Sequence, residues 1–176
     1  MAGNAFIKFS DVKEGESYTK SHPGSDGWLE IGDWSWEASA ETSFMKGGGS
    51  AVGKPHPGSL SFTHFFDLSS TVIMQKIVSG KHFETVTLDM LKQAGGVAPQ
   101  TYLRIVMKWA FITKVATKGG EDGSVNQDVE MVFKEIYIGY KQQLNDGALD
   151  KSAIPFEWSV PTMTLVTTIT DKTLPT

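Results

Sequence analysis

The spacing Gly48-x-x-x-x-Gly53-Lys54 supplies most of a phosphate-binding loop, in which backbone N–H groups cradle a polyphosphate and the lysine reaches its terminal groups. That chemistry also needs a hydroxyl for magnesium at the next position and a helix whose N-terminus faces the phosphate. Here Pro55 follows Lys54, Pro57 comes two residues later, and the preceding EASAETSFMK has little strand character. The lysine therefore belongs to a Gly- and Pro-rich loop, and a nucleotide site is set aside.

The other reactive residues are scattered. His22, His56, His64 and His82 show no metal-binding spacing, and no G-x-S-x-G elbow marks a nucleophilic serine, so they are expected at surface or strand positions. A Ser-His-acid triad would have to assemble from distant residues. Glu121, Asp122, Asp128 and Glu130 in EDGSVNQDVE lack the spacing of a calcium loop and read as a solvated hairpin tip. With no cysteine, thiolate zinc sites, disulfides and cysteine nucleophiles are excluded. No catalytic residue, metal site or cofactor is expected.

The tryptophans offer either a stacking platform or a core. In IGDWSWEAS, strand alternation sends Trp34 and Trp36 to one face and Ser35 to the other. Leu29 and Ile31 have the opposite parity, with Gly32 at the flip, which reads as a β-bulge. Large aromatics at strand parity belong in a core, so Trp34, Trp36 and Trp109 are assigned there.

The chain that must position these residues has 176 of them, 40% hydrophobic and 20% charged, enough for one core without covalent staples. A net charge of −4 and the lack of a basic run argue against nucleic-acid binding. The N-terminus has no secretory-signal pattern, and no apolar run is long enough to span a bilayer. Membrane insertion is not expected.

Alternation with period two dominates. TYLRIVMKWAFITKV places Leu103, Ile105, Met107, Trp109 and Phe111 on one face and Arg104, Lys108 and Lys114 on the other. In DVEMVFKEIYIGYK, Val129, Met131 and Phe133 change phase to Ile136, Ile138 and Tyr140, predicting a bulge near Lys134 and Glu135. Further strands are predicted over 6–11, 60–66 and 82–92. One helix of about ten residues is predicted between an N-cap at Ser69 or Ser70 and a left-handed Gly80. Long, phase-shifted strands suggest a curved sheet or barrel. The Thr-rich end, PTMTLVTTITDKTLPT, reads as an added edge strand or a mobile tail.

These segments, in order, resemble the Hcp family, the haemolysin-coregulated proteins of the type VI secretion inner tube. The resemblance rests on FIKFSDVKEGES at 6–17, WSW at 34–36, GGGSAVGK at 47–54, LSFTHFFD at 60–67 and SGKH at 79–82. It continues through AGG at 94–96, YLRI at 102–105, FKEIYIGY at 133–140 and FEWSV at 156–160. It implies a mainly β chain: a small β-barrel of two curved antiparallel sheets with one short α-helix, similar to phage tail-tube proteins. Residues 1–160 would form the tube domain and 161–176 a C-terminal extension. Glu14 looks like an insertion relative to the family.

By the same resemblance the chain would be a non-enzymatic structural subunit, a homo-hexameric ring that stacks into a tube. Its partners would be further rings, a VgrG-type spike, a contractile sheath and secreted effectors. It would reside in the bacterial cytoplasm before firing and leave through the type VI system without a signal peptide. Ser35 would face cargo in the lumen. The segment 46–58, with five glycines and two prolines, would be a projecting stacking loop carried by Lys46, Gly47, Gly48, Gly49, Ser50, Gly53, Lys54 and Pro55. The competing reading is a monomeric β-sandwich that binds a glycan or another ligand through exposed aromatics.

Overall fold

The computed structural model describes residues 4–43, 51–92, 98–144, 149–153 and 155–172. In chain order, β1 (Ala5–Phe9) leads through a 3-10 turn (Gly24–Asp26) to β2 (Trp28–Ile31) and β3 (Trp34–Ser35). A hairpin follows, β4 (Ala38–Ser43) with β5 (Ala51–Pro57), then β6 (Leu60–Phe65) and helix α1 (Ser70–Ser79). The remainder is β7 (Phe83–Lys92), β8 (Gln100–Gly119), β9 (Val125–Val132), β10 (Glu135–Gln143), β11 (Leu149–Ala153) and β12 (Phe156–Ser159).

All pairings are antiparallel and follow the path β2-β1-β7-β8-β9-β6-β3, with β10 on β8 and β11 and β12 on β10. The twenty-residue β8 belongs to two curved sheets. Its first half lies between β7 and β10, and its second half pairs with β9. The sheets wrap around one core that includes Phe9, Leu29, Phe62, Leu88, Met107 and Met131, all almost fully buried. This is the small barrel with one helix that the resemblance implied, although its ladder does not close among the described residues. Its end strands β2 and β3 are consecutive in the chain. Between them, the Gly32 N–H donates to the Thr63 carbonyl at 2.7 Å, and the Thr63 N–H donates to Asp33 at 3.0 Å.

That contact corrects the bulge predicted at Gly32. The phase flips because the chain leaves β1 and joins β6. Glycine suits the close approach there, since a Cβ would stand 2.7 Å from Thr63 Oγ1 and force that hydroxyl to shift. The flip near Lys134 is likewise a corner between β9 and β10, where Lys134 N–H donates to the Lys108 carbonyl at 3.1 Å. Opposite it, β8 turns the same corner at Trp109, whose φ is +56°. Alternation in β8 therefore passes from Ile105 and Met107 to Ala110 and Ile112, all buried.

Helix α1 matches its prediction in length and in its left-handed Gly80 cap (φ 65°). Its start is capped differently. Neither Ser69 nor Ser70 supplies a side-chain N-cap bond; instead the Asp67 carboxylate accepts the Ser69 N–H at 3.0 Å and both serine hydroxyls.

Candidate assembly surfaces

The polar face of the sheet formed by β3, β6, β9 and the second half of β8 is built by register. Ser35 of β3 lies opposite Ser61 of β6, Ser61 opposite Glu130 of β9, and Glu130 opposite Lys114 of β8. The two serine hydroxyls are 2.7 Å apart, and Lys114 donates to Glu130 at 2.8 Å. Two residues away along the same face of β9, Lys118 donates to Asp128 at 2.5 Å. The row is small and polar at one edge and ionic at the other. Beneath it, Trp34 and Trp36 are half-buried and pack on the core from the opposite face. The Trp34 indole N–H points to the Met90 sulfur at 3.2 Å. Trp36 stands 6.0 Å from Phe133 and 6.4 Å from Phe156, ring centre to ring centre. Ser35 is exposed, as alternation requires.

Trp109 is not core. It is 41% exposed, stacks on His82 at 4.4 Å and lies under the Lys134 ammonium at 4.9 Å. Its position at the corner rotates it out of phase with Met107, so sequence alternation sent it to the wrong face.

The predicted stacking loop is corrected in form. Gly53, Lys54 and Pro55 lie within β5, which among the described residues pairs only with β4, and all three are exposed. The segment is one limb of a β-hairpin arm rather than an irregular loop. Proline is tolerated because both strands of a two-stranded ribbon are edges. Lys46, Gly47, Gly48, Gly49 and Ser50 lie outside the described residues.

His64 sits on a strand, β6, as expected, and both it and His22 are almost fully buried, so His22 is not the surface residue that was the alternative. His22 lies between Phe6 (5.1 Å, stacked) and Trp28 (4.4 Å, edge-on), and its Nε2 meets Asp89 Oδ2 at 2.8 Å. Arg104 forks onto the same carboxylate, with Nε to Oδ1 at 2.8 Å and Nη2 to Oδ2 at 2.7 Å. Burial opposes the charge of Asp89, but hydrogen bonds from Arg104 and His22 outweigh it and hold its carboxyl below the usual carboxylate range. For Arg104, burial is likewise outweighed by Asp89, which raises its pKa. Ser21 Oγ lies 3.0 Å from His22 Nδ1, so Ser, His and Asp do form a chain. Its acid is neutralised by arginine and its imidazole is enclosed by aromatics, an arrangement that braces the fold rather than activating a nucleophile. The signal was the facing of Asp89 and Arg104 across β7 and β8, which is legible only once the register is known.

The Thr-rich end, through Lys172, is neither an edge strand nor a free tail. It crosses the outer face of β8, β10 and β12 as a strap. The Glu157 carboxylate accepts the Thr167 N–H and the Lys172 ammonium, and Glu135 accepts the Thr168 N–H. Tyr137 donates to the Lys172 carbonyl, and Ile169 is buried with Val106 and Tyr137.

Comparison with known proteins decides the family. A profile described as "Type VI secretion system effector, Hcp" matches residues 6–140. Protein hcp1 of Pseudomonas aeruginosa is 35% identical over 162 residues, covering 91% of this chain and 96% of the relative. The chain belongs to the Hcp family. It is accordingly a type VI secretion tube protein, structural rather than enzymatic. Solved Hcp structures share the fold. A type six secretion system protein superposes with a TM-score of 0.82 at 24% identity, covering 93% of this chain and 99% of that one. Hcp1 from Salmonella typhimurium gives 0.73 at 24% identity over 94% and 100%.

Proposed function

We propose that this Hcp chain forms a closed hexameric ring, that rings stack into a tube, and that the tube carries effectors in its lumen until a contracting sheath expels it behind a VgrG-type spike. On this reading it is held in the bacterial cytoplasm before firing and then secreted. The observation that carries the reading is the surface of the single chain. Tyr18, Phe65, Val78, Leu165 and Val166 are all at least 70% exposed, and the β4–β5 arm leaves the barrel with its described side chains almost entirely in solvent. Large apolar side chains left open in this number mark protein contacts, and a two-stranded ribbon is marginal by itself in water. Both features are accounted for if neighbouring copies cover them.

Within the tube, the Ser35–Ser61–Glu130–Lys114 face lines the lumen, where small hydroxyls leave room for cargo. The arm, with Gly53, Lys54 and Pro55 on its returning strand, is the stacking element between rings. Negative-stain electron microscopy of the purified chain tests this. Rings of six at moderate concentration and end-to-end stacks when concentrated support it, and uniformly monomeric particles overturn it.

A further inference from the structure

Two surfaces at opposite ends of helix α1 complement each other. Beside its N-terminus, a groove is lined by Glu16, Glu30, Asp33, Asp67 and Asp128, with Lys118 the one lysine or arginine among the described lining residues. Tyr18, Phe65 and Phe66 form its apolar wall, and Tyr18 is 95% exposed. His64, only 3% exposed, also lines it, and its Nδ1 is enclosed with no hydrogen-bond partner among the described residues. The Gln127 side-chain N–H₂ donates to Thr117, which leaves its Oε1 to accept from His64 Nε2 at 2.9 Å. Nδ1 is then an acceptor, 3.9 Å from an Asp67 carboxylate oxygen. The carboxylates around the groove favour a cationic ligand, and a lysine ammonium offers them three N–H donors.

At the other end of α1, Met74 and Val78 are exposed one turn apart, Val78 at 87%, and exposed Lys81 follows Gly80. This surface, the α1 knob, is apolar with a cationic end, and it borders an open cavity that also holds Asp11 and Lys76. The ten-residue helix separates knob from groove by about 15 Å, so a chain does not fill its own groove. A neighbouring copy faces no such restriction, and a contact between two different patches of identical chains is the kind that closes rings.

We infer that the α1 knob of one copy, Met74, Val78 and Lys81, seats in the Tyr18–Phe65–Phe66 groove of the next, with the Lys81 ammonium among the carboxylates. The inference rests on the ring reading above and names its lateral contact. The chain has no cysteine, so engineered pairs report contacts cleanly. Val78→Cys and Phe65→Cys chains, mixed and oxidised, should give disulfide-linked dimers. A chain carrying both substitutions should give a covalent ladder ending at the ring size. Both sites are exposed, and circular dichroism checks that the variants fold. Lys81→Glu should weaken assembly by about tenfold or more, through like-charge repulsion at the groove. Glu16→Lys in the same chain should recover most of the loss.

Wild-type rings with no cross-linking in the mixture would overturn the contact and leave the ring standing. Cross-linking of Val78→Cys chains to each other alone would also overturn it, because the contact would then be two-fold rather than head-to-tail. A wild-type chain that stays monomeric would overturn the contact and the ring together.

Discussion

The strip where β7 meets β8 and the arm made by β4 and β5 are both antiparallel pairs, yet they are built on opposite terms. In the strip, nearly every group has an internal partner. Asp89 is fully buried under Arg104 and His22, and Phe83, Val86 and Leu88 are fully buried. In the arm, the backbone ladder is satisfied within the ribbon, while the described side chains are almost all exposed. The strip stabilises the chain as a monomer. The arm gains little until another molecule covers it, so its sequence is free to serve that contact.

Breaking the strip should have the largest effect. Asp89→Ala removes the buried carboxylate shared by a guanidinium and an imidazole, at a cost of about 3 to 5 kcal/mol, measurable by denaturant unfolding. Acid probes the same carboxylate without mutation. Its folded pKa lies below its unfolded one, so its contribution is fully present above pH ~4 and is lost as pH falls through the lower folded value. Unfolding midpoints should drop steeply in that acid window, and Asp89→Asn should flatten the drop.

The strap lies between the two extremes. Ile169→Ala removes the side chain packed between Val106 and Tyr137 and should cost about 2 kcal/mol, the low end for a small cluster. Replacing residues 41–54 with an Asn-Gly turn should change chain stability by no more than about 1 kcal/mol while abolishing long stacks in electron micrographs. The smallest effect belongs to the polar wall. Ser35→Gln should leave stability within about 0.5 kcal/mol and ring mass unchanged, while altering cargo retention in a pull-down.

The same contrast explains what was legible in the sequence. Helix α1, the strands β6 and β7, and the opposed faces of Trp34 and Ser35 followed from local alternation and capping, which need no knowledge of neighbours. The phase changes at Gly32 and Lys134 were visible, but alternation alone cannot tell a bulge from a strand changing partners. The matching change at Trp109 was hidden because both phases of β8 are hydrophobic there, with Val106, Ala110 and Ile112 interleaving Met107, Trp109 and Phe111. Alternation alone put Arg104 on the polar face of its strand with Lys108 and Lys114, and gave it no partner. Only the register between β7 and β8 joins it to Asp89 in an internal bridge.

The assembly claim meets its most direct test in the mass of the unmodified chain in solution. By sedimentation velocity at micromolar concentration, a ring subunit should run as one species near six times 19.2 kDa, with little material between that and the monomer. A single boundary at 19.2 kDa across the accessible concentration range would contradict it.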